Sequence, residues 1–139
     1  MRTVFADTAY WVALLNRDDS LHRQAFELRA CLGSSVIVTS EMVLTEVLNF
    51  FSEGNSRVRI AAAALIRNVC DDPSCRVVAQ TSGQFTDARH LYERRPDKHW
   101  SLTDCASILI MQEQGIREAL TYDHHFAQAG FTALLRPSS

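Results

Sequence analysis

Apolar residues run through this chain in two rhythms. Short unbroken runs, "RTVFA", "SSVIVT", "CRVVAQ", "EALTY" and "FTALL", are separated by longer stretches in which apolar positions return every three or four residues. The short runs are rich in β-branched residues and read as strands; the longer stretches read as helices. Helices are expected over "TAYWVALLN", "SLHRQAFELRACLG", "SEMVLTEVLNFFSEG", "SRVRIAAAALIRNVCDD", "TSGQFTDARHLYERR", "WSLTDCASILIMQEQG" and "HHFAQAG". Gly33, Gly54, Pro73 and Pro96 supply their stops, and Ser20, Thr81 and Ser101 their starts. Thr81 with Gln84, and Ser101 with Asp104, have the spacing of capping boxes.

Strands that are continuously apolar, rather than alternating, belong to a sheet covered on both faces. The strand–helix alternation therefore predicts an α/β fold: a three-layer α/β/α domain with a central, mainly parallel sheet. The absence of repeats, linkers or low-complexity segments makes residues 1–139 a single domain.

Composition narrows the functional classes. The formal net charge is −2, so no global basic field draws the chain to nucleic acid, and any such contact needs a local patch. Lys98 is the only lysine among the 14 basic residues; the rest are arginines, which grip phosphates bidentately. Cys31, Cys70, Cys75 and Cys105 form no C-x-x-C pair and are expected to be reduced, mostly buried thiols. The first residues carry acids too early for a signal peptide, and no apolar run reaches membrane-spanning length. A cytoplasmic protein without a membrane association is expected.

The helix from Trp100 to Gly115 raises the question of chemistry. It is apolar nearly all round behind Asp104, as buried helices are. Asp104 alone is explained as a capping acid, with Trp100 stapled against Cys105. Asp7 follows the first strand and Asp123 the fourth, at the strand ends where open parallel sheets bind ligands. Each also has a plain reading as a helix cap. Glu46 has no such reading. Helical spacing stacks it with Met42, Val43, Val47 and Phe50, a stripe expected to be buried, so it needs an arginine, a hydrogen-bond network or a metal. Four converging acids repel one another unless a cation sits among them. An all-oxygen site suits Mg²⁺ or Mn²⁺, which can activate water for attack on a phosphodiester. The five histidines match neither a triad nor zinc spacing.

Taken in order, these segments resemble the PIN-domain family of metal-dependent ribonucleases, which includes the VapC-type toxins of toxin–antitoxin modules. "VFADTAYWVAL" resembles its first strand with acid and following Ser/Thr, "SEMVLTEVLNFF" the helix bearing its glutamate, "WSLTDCASILIM" its third acidic segment and "ALTYDHHFAQAGF" its fourth. The similarity spans essentially the whole chain. It implies that Asp7, Glu46, Asp104 and Asp123 are the catalytic, metal-binding acids. Thr8 and Thr103 become helpers toward water or phosphate, with helix capping as their plain reading. His125 is expected to pack or cap rather than to bind metal, and His124 and His22 to be surface or loop residues. The resemblance further implies hydrolysis of RNA to 5′-phosphate and 3′-hydroxyl ends, an antitoxin partner and a homodimer. The dimer would form through helices near the small-residue run Ala61–Ala64.

"ERRPDKHW" places Arg94, Arg95, Lys98 and His99 beside Trp100, just before Asp104. Basic groups beside a stacking ring suit single-stranded RNA, and a solvated turn is the plain alternative. A phosphoaspartyl hydrolase would need an acid where Ala9 stands. A response-regulator receiver would need paired acids after the first strand and a lysine after a late one. The expectation is thus a divalent-metal-dependent endoribonuclease, with an RNA-processing protein or a catalytically quiet RNA- or protein-binding module as the alternative.

Overall fold

The computed structural model describes residues 2–136. In chain order the strands are β1 (Thr3–Ala6), β2 (Val36–Ser40), β3 (Cys75–Val78), β4 (Glu118–Leu120) and β5 (Thr132–Ala133). The helices are α1 (Thr8–Leu15), α2 (His22–Leu32), α3 (Glu41–Phe50), α4 (Ser56–Asp71), α5 (Ser82–Arg94), α6 (Leu102–Gln114) and α7 (His124–Gln128). The five strands form one sheet in the order β3-β2-β1-β4-β5, and every pairing is parallel.

This order dictates the layers. The chain steps from β1 through β2 to β3 in one direction, then crosses β1 to continue at β4 and β5. Right-handed crossovers therefore put α1–α4 on one face and α5–α6 on the other. The core follows suit. Val4, Phe5, Val38, Val43, Val47 and Leu120 belong to a large apolar cluster with α1–α4, while Ala88, Trp100, Cys105, Ala106 and Ile108 form a second cluster between α5 and α6. Trp100 and Cys105 share that second cluster, as the staple requires. The strand order reverses at β1, so the cleft outside the carboxyl ends of β1 and β4 is where a ligand is expected.

The sheet's central strands are locked by polar ties as well as apolar burial. Trp11 Nε1 donates to Thr39 Oγ1 (3.3 Å), which in turn donates to the Ala6 carbonyl (2.9 Å), joining α1, β2 and β1. Helix α6 is buried on nearly every side, from Thr103 to Met111. It ends at Gly115, whose φ of 68° turns the chain so that the Ile116 amide reaches the Met111 carbonyl (2.9 Å).

Several boundaries differ from expectation. Helix α2 starts at His22 rather than Ser20, because Asp19 Oδ1 accepts from the Leu21 amide (2.8 Å) and holds the preceding turn. Strand β5 is two residues long, and β4 ends at Leu120, since Thr121 to Asp123 turn into α7. Only Cys105 of the four cysteines is buried; Cys75 is half-buried, and Cys31 and Cys70 are exposed. Both exposed thiols sit on the outer faces of amphipathic helices, which pattern alone had placed inward. The Thr81 cap forms, accepting from the Gln84 amide (3.0 Å), but Gln84 Oε1 finds no partner, so that box is half-made.

Candidate functional site

The edge where β1 and β4 end gathers acids from four elements. Asp7 is the residue between β1 and α1, and its amide donates to the Leu120 carbonyl of β4 (3.2 Å). Asp104 stands in the first turn of α6 and Asp123 caps α7. Asp7, Asp104 and Asp123 each offer a carboxylate oxygen, and the three oxygens lie within 4.8 Å of one another. Glu46 lines the same cavity, of about 470 Å³, from α3.

Each acid of the trio is held by one oxygen through bonds that start in local sequence. Ser101 and Asp104 form the full capping box: Ser101 Oγ accepts from the Asp104 amide (3.0 Å), and Asp104 Oδ2 accepts from the Ser101 amide (2.9 Å). Asp123 Oδ1 accepts from the His125 amide (3.0 Å). Asp7 Oδ2 accepts from Thr121 Oγ1 (3.0 Å), and the same hydroxyl accepts from the Asp123 amide (3.0 Å). Among the described residues these bonds engage Oδ2 of Asp7 and Asp104 and Oδ1 of Asp123, and the Thr8 amide also bonds the Asp7 carboxyl.

The electrostatics express the crowding. Burial pushes the Asp7 carboxyl up to about 7, and the charges of Asp104 and Asp123 add to this; the Thr8 amide and Thr121 hydroxyl oppose it. Burial also raises Asp104, with Asp123 adding, against the Ser101 amide and His125. Two carboxyls that burial and neighbouring acids hold back from ionising, with one oxygen from each of three aspartates close together, fit a hard divalent cation. Cys105, next in sequence, is pushed up to about 11, first by burial and then by Asp104, so it stays a thiol and offers no nucleophile.

Glu46 departs from the expected buried stripe. Met42, Val43 and Val47 are buried, but Glu46 is half-buried and Phe50 exposed, because both line the open cavity instead of the core. Its partner is Thr8 Oγ1, which donates to Glu46 Oε1 at 2.7 Å. Of the readings open for Glu46, a hydrogen bond within a carboxylate-lined cavity is the one observed.

Comparison with known proteins now places the chain. The PIN domain family model matches residues 4–132. The chain belongs to the PIN-domain family. It is 31% identical over 129 residues to the 23S rRNA-specific endonuclease VapC20 of Mycobacterium tuberculosis, in strains CDC 1551 / Oshkosh and ATCC 25618 / H37Rv, covering 92% of this chain and 95% of the relative. The crystal structure of Mycobacterium tuberculosis VapC20, described as a Sarcin-Ricin loop cleaving toxin, superposes with a TM-score of 0.82 at 29% identity, over 93% of this chain and 96% of that one. The α/β/α architecture and the VapC-type resemblance expected from the sequence are both met.

The remaining expected residues scatter around this PIN-domain cavity. Thr8 lines it, whereas Thr103 is buried in the first turn of α6 and does not. Arg95 and Lys98 line an adjoining groove of about 560 Å³ that shares His99 and Ser101 with the acidic cavity. Arg95 is forked onto Asp97 (3.0 and 3.0 Å), and that pairing holds the Asp97 carboxyl down at about 2. Arg94 faces a different hollow, with Asp87 and His90, between α5 and α6. Trp100 is not an open stacking ring: it is buried, covered by the Arg95 guanidinium 5.3 Å from its centroid, and its Nε1 donates to Gln128 Oε1 (3.1 Å).

Two contributors were missed. His125, expected to pack or cap, brings Nδ1 to 2.8 Å from Asp104 Oδ2 and 3.1 Å from Asp123 Oδ1. A protonated Nδ1 can donate to both acids, which orients them and offsets part of their repulsion. Thr121, fully buried, ties Asp7 to Asp123. The D-x-H spacing was visible, but nothing in it said that the ring would swing back onto Asp104, 21 residues away.

Proposed function

We propose that this PIN domain is an endoribonuclease that requires Mg²⁺ or Mn²⁺, and that it serves as the toxin of a toxin–antitoxin pair. The observation that carries the reading is the convergence of Asp7, Asp104 and Asp123 on one point, in a cavity that Glu46 also lines. Asp7, Asp104 and Asp123 would hold the divalent cation, which would supply the charge to activate water and to offset negative charge developing on the phosphoryl oxygens. The chain's own residues do the rest. His125 and Ser101 fix the direction of Asp104, and Thr121 that of Asp7. Glu46, oriented by Thr8, presents a carboxylate to the same cavity, where it accepts a proton from the attacking water. Lys98, in the adjoining groove that the Asp97-paired Arg95 also lines, receives backbone phosphates away from the cleavage point.

RNA, rather than a small phosphoester, is supported by the relationship to an rRNA endonuclease over nearly the full chain. A loop of ribosomal RNA is therefore the first substrate to test. An antitoxin protein and a homodimer complete the assignment. Ile60 of α4 and Leu48 of α3 are exposed apolar residues, and Ala62 is buried while Ala63 is exposed, as a helix face open to a second subunit would be. Among the described residues no helix is long and apolar enough to cross a membrane, in keeping with a cytoplasmic site of action.

Induced expression in cells tests this reading. Wild type should arrest growth and generate new RNA ends, bearing 5′-phosphates, at discrete positions. Asp104→Asn should do neither, and an antitoxin encoded by an adjacent gene should suppress the wild-type effect. Growth arrest without new RNA ends would contradict the nuclease assignment.

A further inference from the structure

The acidic cavity has lining residues that catalysis by carboxylates does not use. Ala9, Val12, Leu21 and Phe50 are its apolar members, with Asp19 beside Leu21. Phe50 is the outermost, at 59% exposure, and it stands one helical turn beyond Glu46 on α3, so ring and carboxylate are neighbours on the same face. The ring is not loose. Phe51, itself buried, meets it edge-on with centroids 5.0 Å apart and planes at 82°.

We infer that Phe50 is a substrate-binding residue, the platform on which the RNA base beside the scissile phosphate stacks. This rests on the endoribonuclease reading above. A cavity lined by acids that can hold a cation, together with an exposed aromatic and a few apolar side chains, suits a ligand that joins an anion to a flat ring in one unit, and a nucleotide is such a ligand. An aliphatic protein side chain would satisfy the apolar residues and leave the carboxylates unmatched. Trp100, in the adjoining groove, is already covered by Arg95 and buried, and the exposed Tyr92 lines that groove but not the acidic cavity, so neither ring sits with the acids as Phe50 does. The groove with Arg95 and Lys98 joins the cavity at His99 and Ser101, giving a path in which phosphates lie along the groove, the cleaved phosphodiester meets the acids, and the next base turns onto Phe50. Stacking of a base on an aromatic side chain tolerates sequence, so Phe50 would set a requirement for an unpaired base more than for a particular one.

The test uses the full chain and a short single-stranded RNA whose cleavage position has been mapped. Phe50→Ala should lower kcat/KM by roughly tenfold or more, the size of a lost stacking contact. Phe50→Leu should fall nearly as far and Phe50→Trp should recover. An RNA abasic at the nucleotide next to the cut should reduce wild type to the level of Phe50→Ala and reduce Phe50→Ala no further. The metal-induced rise in Tm should be the same in all four proteins, which separates stacking from damage to the fold or to the metal centre. Unchanged cleavage by Phe50→Ala, with Phe50 then free to face a protein partner, would overturn the inference, as would losses from the variant and the abasic site that simply multiply. If wild type neither binds nor cleaves RNA with either metal, the endoribonuclease reading falls and this one with it. If wild type cleaves and Phe50→Ala matches it, only this one falls.

Discussion

Burying Asp7 beside Asp104 and Asp123 destabilises the metal-free fold, and that instability can be measured. The folded carboxyl sits near 7 against an ordinary 3.8, so between those values the folded chain holds a proton that the unfolded chain has released. The contribution of Asp7 to apo stability therefore rises as pH falls through 7 toward 4, opposite to a salt-bridged acid. Asp7→Asn should stabilise the apo protein at pH 8 by on the order of a few kcal/mol and by little at pH 4, read from urea unfolding at both values. Equal effects at the two values would show that Asp7 ionises normally. Glu46 behaves differently. Because Thr8 Oγ1 can still donate to an amide oxygen, Glu46→Gln should abolish cleavage while leaving the apo Tm nearly unchanged. A fall of many degrees would assign Glu46 a structural role. His125→Ala removes the donor that both Asp104 and Asp123 share. It should weaken metal binding by roughly 10- to 100-fold, measured as the concentration of Mn²⁺ needed to raise Tm.

At the scale of elements, the start of α6 couples stability to chemistry. Ser101→Ala deletes the acceptor for the Asp104 amide and should cost about 1 kcal/mol of stability. It also loosens the turn that aims Asp104, so activity should fall further than stability alone predicts, whereas Ser101→Thr should restore both. What was legible in the sequence follows the same line. The capping box, the strand-end positions of Asp7 and Asp123, and the parallel sheet all depend on spacing within one or two elements, and all appear as expected. Contacts across the fold were not legible. Thr8 meets Glu46 across 38 residues and His125 meets Asp104 across 21, and no local rule fixes where those side chains point. The stripe assigned to Glu46 failed at its last turn, because periodicity shows which residues share a face but not where the covering layer ends. Trp100 illustrates the converse: adjacent arginines looked like a nucleic-acid patch, and one of them instead closes over the ring and pairs with Asp97.

For the whole molecule, topology explains why one cavity can collect residues from so many segments. The reversal of strand order at β1 opens a cleft into which the ends of β1 and β4 and the starts of α1, α6 and α7 all point. Glu46 closes it from α3. The cavity with its acids and Phe50 adjoins, at His99 and Ser101, a groove holding Lys98 and the Asp97-paired Arg95, a local arrangement that an overall charge of −2 does not reveal. The measurement that bears most directly on this account is cleavage of single-stranded RNA by the purified chain, with and without Mg²⁺ or Mn²⁺, beside Asp7→Asn and Asp104→Asn prepared identically. Metal-dependent cleavage by wild type, abolished by EDTA and lost in both variants while their folds persist, is the predicted result. Cleavage that survives in the variants, or that needs no metal, would contradict the assignment of the aspartate cluster as the catalytic metal centre.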